Sequence, residues 1–249
     1  MQIVLTVVCL LALATLLLVS PVQAQEKTNY TYVSLWAVPR AQWADFEKTR
    51  EQARPVYERS MNDGALVAWV FDAILVHTDE GYTHVSWFIA TSMAGIVKTL
   101  EALRNSSTGA PYTSVTKHSD LLLHTVVHEG KATTMGTGYM RVAIYQTKPG
   151  EGERFEESFK KYIKPMLDSE LAAGTVTMYS LNNESIHTHP PGGYSLMVLY
   201  STPEGLDKGA AALAALTKEN PAIIANVALQ TNLEDHRDGL GHVLAYTHK

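Results

Sequence analysis

Apolar and polar positions along this chain fall into two rhythms, one of period two and one of helical period, and they succeed one another in a fixed order. Residues 30–38 are rich in Val, Tyr and Trp, which reads as a strand. Residues 39–61 are charged, with Trp43, Phe46, Ala53, Val56, Tyr57 and Met61 at helical spacing. Pro55 interrupts that helix, because it lacks an N–H and its ring meets the preceding turn, and Asn62-Asp63-Gly64 supplies the stop. A long apolar strand follows over 65–78, a turn at Asp79-Glu80-Gly81, and a second strand over 82–91. Ser92 caps a helix that runs to about Asn105, and a last strand lies near 121–128. The order is strand, helix, strand, strand, helix, strand.

The same order then returns, over 139–147, 151–173, 175–188, 194–202, 203–218 and 243–247. Pro55, Gly64, His77-Thr78, Gly95 and Leu103 recur 110 positions later as Pro165, Gly174, His187-Thr188, Gly205 and Leu213. A further echo, His118-Ser119-Asp120 with His124 against His236-Arg237-Asp238 with His242, has an offset of 118. Two copies of one folded unit are therefore expected, over 25–129 and 138–249, joined by a small polar linker over 130–137. The second copy carries an insertion at 220–232, begun by Pro221, whose Ile223, Ile224, Val227 and Leu229 imply that it packs down.

This element order is the split strand-helix-strand unit of ferredoxin-like folds. Each unit has an antiparallel sheet with helices on one face, and two units offer each other the cover that the opposite faces need. The expected class is α+β, two ferredoxin-like repeats with facing sheets. At this level the chain resembles the dimeric α/β barrel superfamily with both halves fused. That resemblance implies kinship of fold with monooxygenases of antibiotic biosynthesis, haem-degrading enzymes, chlorite dismutases, muconolactone isomerases and stress-response proteins, and fixes no single chemistry.

Side chains two apart on a strand share a face. Trp69, Phe71 and His77 therefore go together, matched by Tyr179, Leu181 and His187, while Tyr32, Ser34 and Trp36 are matched by Arg141, Ala143 and Tyr145. The expectation is a cleft between the two sheets, with Trp36, Trp69, Tyr145 and Tyr179 as walls for a small apolar or aromatic molecule and His77 or His187 as acid-base group. Ordinary core packing is the alternative for the aromatics. Haem ligation by a His is compatible with the sequence, but no haem motif can be placed and no cofactor is required. No metal site is assigned, since His118 and His124 would stand about 20 Å apart on an extended strand. The third strand of the first copy, with His84, Trp87 and Phe88, and the His187-x-His189 pair of the second compete as the working half.

Composition narrows the setting. Residues 1–24 carry no charge, run apolar from Ile3 to Val19 and end in Val22-Gln23-Ala24, the pattern of an export signal; an uncleaved anchor is the alternative. The sole cysteine, Cys9, lies within that segment, so the expected mature chain is a periplasmic or secreted protein held by packing alone. A net charge of −5 with mixed signs argues against a nucleic-acid partner, no membrane insertion is expected after cleavage, and a fused barrel makes a monomer sufficient without forbidding a homodimer. Glycine elbows, phosphate-binding loops and thiol pairs are missing from the sequence. The intact mass of protein exported from a bacterial host is expected to lack residues 1–24; a mass that includes them would establish a retained anchor.

Overall fold

Pro55 breaks the first helix as its chemistry requires: α1 (Trp43–Glu51) and α2 (Arg54–Asn62) are separate segments in the computed structural model, which describes residues 28–76, 80–106 and 115–249. The remaining helices are α3 (Met93–Asn105), α4 (Gly152–Ser158), α5 (Lys164–Ala173), α6 (Pro203–Glu219) and α7 (Ala222–Gln230). The strands are β1 (Asn29–Ala37), β2 (Leu66–Ile74), β3 (His84–Ala90), β4 (Lys117–Gly130), β5 (Thr133–Gln146), β6 (Val176–Ile186), β7 (Gly193–Tyr200) and β8 (Arg237–His248). The two copies cap their second long helix alike: Ser92 Oγ accepts from Gly95 N at 3.1 Å, and Thr202 Oγ1 accepts from Gly205 N at 3.2 Å.

The strands close into one barrel in the order β1-β3-β2-β8-β5-β7-β6-β4. Each copy contributes a four-stranded antiparallel sheet, and the seams are made by β2 with β8 and by β4 with β6. The last strand of each copy thus pairs on one side with its own first strand and on the other with the second strand of the other copy. This double duty explains why β4 and β8 run longer than their apolar cores at 121–128 and 243–247. The expected linker over 130–137 shrinks to Lys131 and Ala132, because β4 ends at Gly130 and β5 begins at Thr133. Small residues there signal close packing, not a loop: a Cβ on Gly136 would run into the ring of Tyr246.

One core fills the barrel from both copies, with Val33, Val70 and Ile89 meeting Met140, Met178, Leu199 and Tyr246. A buried polar set crosses the β4–β6 seam: Thr31 Oγ1 and Thr125 Oγ1 are 2.8 Å apart, and Thr31 donates to Asn182 Oδ1 at 3.0 Å. Asn182 in turn donates to Ser180 at 3.0 Å, so the set is satisfied across the junction. At one end His128 of β4 and His248 of β8 approach at 2.9 Å between their Nε2 atoms. Burial, reinforced by the neighbouring imidazole, lowers His128 to about 4, so the pair is uncharged near neutral pH.

On β2, Asp72 follows Ala68 and Val70 on the inward face, and burial raises its carboxyl to about 8. The folded state holds this proton between about pH 4 and about 8 while the unfolded chain, with an Asp pKa near 3.9, has lost it. Stability from this group therefore falls as pH rises through that window. Asp72→Asn is expected to remove the slope and to raise the melting temperature at pH 9 by at least roughly 2–4 °C, the equivalent of about 1 kcal/mol. Thermal melts of both proteins from pH 5 to 9 check this; parallel curves would refute a neutral buried carboxyl.

Candidate functional site

Alternation on the strands of the second copy sends two sets of side chains in opposite directions. Met140 and Val142 on β5 and Met197 and Leu199 on β7 point into the barrel, so Arg141, Ala143 and Tyr145, with Leu196, Val198 and Tyr200, point outward under the helices. There they bound a cavity of about 260 Å³. Its helical wall comes from Phe159, Tyr162 and Ile163 of a π-helical turn between α4 and α5, and from Gly209 and Leu213 of α6. A π-turn widens the helix locally and frequently marks a functional site. The remaining wall is the insertion: Ile223, Ile224 and Val227 of α7 line the space.

Two features keep this space open. Leu181 and Val198 occupy the places that Phe71 and Phe88 hold in the first copy, where those rings pack against Phe46 and Tyr57 of α1 and α2. Gly209 lets the Tyr200 hydroxyl lie against α6, since a Cβ there would be 2.5 Å from that oxygen.

The cavity is mostly apolar, with Arg141 and His236 among its polar lining. His236 Nδ1–H donates to the Ile144 carbonyl at 2.8 Å, its Nε2 lies 3.4 Å from the Asp238 carboxylate, and its ring packs on Tyr145 with centroids 4.8 Å apart. Arg141 contacts the same carboxylate at 3.5 Å. Burial raises the Tyr145 hydroxyl, and the Asp238 charge adds to this against the opposing pull of Arg141. Burial likewise raises Tyr200, with Arg141 acting in the opposite sense. Both phenols are therefore neutral donors at physiological pH. The first copy holds the mirror arrangement, with Trp36 stacked on His118 at 3.9 Å and His118 on Asp120 at 3.0 Å.

No protein-family model matches the chain, and no curated protein matches it in sequence. Solved structures do match in shape. A proposed monooxygenase from Fusobacterium nucleatum superimposes with a TM-score of 0.68 at 9% identity, covering 90% of this chain and 96% of its own. A proposed monooxygenase from Lactobacillus acidophilus NCFM gives 0.64 at 12%, covering 89% and 96%. An anthrone oxidase-like protein gives 0.54 at 8%, covering 90% and 94%. The chain has the dimeric α/β barrel fold. At these identities the likeness establishes architecture, and the chemistry has to be argued from the residues.

Within this dimeric α/β barrel, the six residues singled out by sequence scatter. Tyr145 alone lines the cavity. Trp36 packs with Phe46 and Phe71, Trp69 stacks on Tyr57 of α2 at 5.5 Å, and Tyr179 is buried against the helices with its hydroxyl donating to Asp168. His187 stands exposed beyond the end of β6, and His77 lies outside the described residues. Trp69 shares a face with Phe71, and Tyr179 with Leu181, but these faces turn to the helices, and the space between the sheets is packed mostly with Val, Leu, Ile and Met around Trp87 and Tyr246. Arg141 and His236 were missed as site residues, although the His-x-Asp echo and the parity of Arg141 with Tyr145 were both legible. Haem does not fit here: among the described residues His236 is the only imidazole in the lining, and both of its nitrogens face other groups.

Ile223 is buried at 4% exposure as part of the α7 wall. Ile223→Ala is expected to cost about 2–4 kcal/mol in urea unfolding, from lost burial plus an enlarged void. A loss below about 1 kcal/mol would show that α7 is not a packed wall.

Proposed function

We propose that the protein binds a small, flat apolar or aromatic molecule in the cavity of its second half. The observation that carries this is the cavity itself: about 260 Å³, walled mostly by aliphatic and aromatic side chains with a few polar groups among them. An apolar cavity of about 150 Å³ accepts benzene, so the volume here suits two fused rings. Burying such a ligand against Ala143, Leu181, Val198 and Leu213 supplies the affinity, and the neutral phenols of Tyr145 and Tyr200 orient it.

A monooxygenase-type oxidation of the bound molecule is the catalytic extension of this reading. Its support is the fold shared with proposed monooxygenases at TM-scores of 0.64 and 0.68, and an imidazole in the lining. Proton transfer would fall to His236, which touches the cavity, and not to the exposed His187. The alternative is a carrier that holds the ligand without converting it, favoured by the engagement of both His236 nitrogens. Export with removal of residues 1–24, to the periplasm or medium, belongs to the same proposal and rests on the apolar leader alone.

Val198→Phe tests the binding site, because it installs the ring that the first copy carries at the matched position and fills the cavity. Wild-type protein is expected to bind 2-methoxynaphthalene, seen by the probe's fluorescence, and the variant to lose at least about tenfold in affinity while remaining folded. Equal binding by both proteins would remove this cavity from the function. Dioxygen uptake with a dihydroxynaphthalene separates enzyme from carrier.

A further inference from the structure

The charge of the cavity lining is one-sided. Among the described residues that bound it, Arg141 carries the only formal charge and there is no carboxylate; Asp238 touches Arg141 from outside the lining. A guanidinium has five N–H donors. The one side-chain partner of Arg141 among the described residues is Asp238, through a single long contact at 3.5 Å.

The first copy shows what full satisfaction looks like. There Tyr32 takes the position of Arg141, and the matched carboxylate of Asp120 is held by Ser34 at 2.7 Å and His118 at 3.0 Å. In the second copy a cation replaces that tyrosine, Ala143 replaces the serine, and the His236 and Arg141 contacts to Asp238 loosen to 3.4 and 3.5 Å. The divergence has placed unused cationic donors beside an apolar space, next to two hydroxyls that remain protonated.

We propose that the ligand is an organic anion, an aromatic acid of two-ring size whose carboxylate meets Arg141 while its rings fill the apolar part of the cavity. This rests on the binding reading above and adds the ligand's charge. Arg141 supplies the charged donors for the carboxylate, and its planar fork is suited to it. Arg141 is 40% exposed, so the attraction is partly screened and weakens with salt.

Three probes of equal ring size isolate the charge: 2-naphthoate, neutral 2-methoxynaphthalene and cationic 2-naphthylmethylammonium, each titrated calorimetrically into full-length protein. Naphthoate is expected to bind roughly tenfold or more tighter than the neutral probe, as charge-assisted hydrogen bonds imply, with the cation weakest. The ratio should shrink in 1 M salt. Arg141→Gln is expected to bring the naphthoate-to-neutral ratio to about one, and Arg141→Lys to restore part of it. If the neutral probe binds as well as naphthoate, the anion proposal falls and the cavity stands. If none of the three binds, or Val198→Phe binds naphthoate as wild type does, both fall.

Discussion

The pairing of each copy's last strand with the other copy's second strand is the constraint on which the rest depends. A four-stranded sheet standing alone presents two open edges, each a row of unsatisfied N–H and C=O groups. By joining β2 to β8 and β4 to β6, the chain consumes all four edges of its two sheets in one closure. The closure also settles what each sheet's inner face meets, since Val33 and Val70 of one copy pack on Met140 and Leu199 of the other. Neither copy owns a complete core, and the Thr31, Thr125 and Asn182 bonds tie the two across a seam that apolar packing alone would leave free to slip.

With the inner faces committed to each other, only the outer faces and their helices are free to diverge. The first copy closed that space with rings: Phe88, Trp69 and Tyr57 interlock there. The second kept Leu181 and Val198, acquired a π-turn on one side and an extra helix on the other, and retained a void. A barrel with a solid interior is what makes this tolerable. Stability is carried by the shared core, so one helix layer can hold an unfilled space of about 260 Å³ without endangering the fold.

The His236 corner of the void is a drifted duplicate. An aromatic residue on the first strand packs on a His at or just before the start of the last strand, which leans on an Asp two residues later, in both copies. In the first copy this cluster is bonded into the structure, while in the second it borders open space. The same residues can thus serve packing in one half and recognition in the other, with the substitution of Arg141 for Tyr32 as the chemical difference between them.

The sequence by itself determined the element order, the duplication, the place of the insertion and which neighbouring side chains of a strand share a face, because those follow from periodicity, from a cap such as Ser92, and from residues that recur at a fixed interval. Only the tertiary structure decided which face looks inward. Trp69 and Tyr179 could line a lumen or support helices equally well as far as a period of two can tell, and the answer depends on which sheet edges join. The same holds for the linker, where Gly136 reads as loop until Tyr246 arrives from a strand 110 residues away. Residues such as Arg141, His236 and Ile223 are far apart along the chain, and no local pattern says that they meet, so their convergence on one cavity is a property of the closed barrel alone.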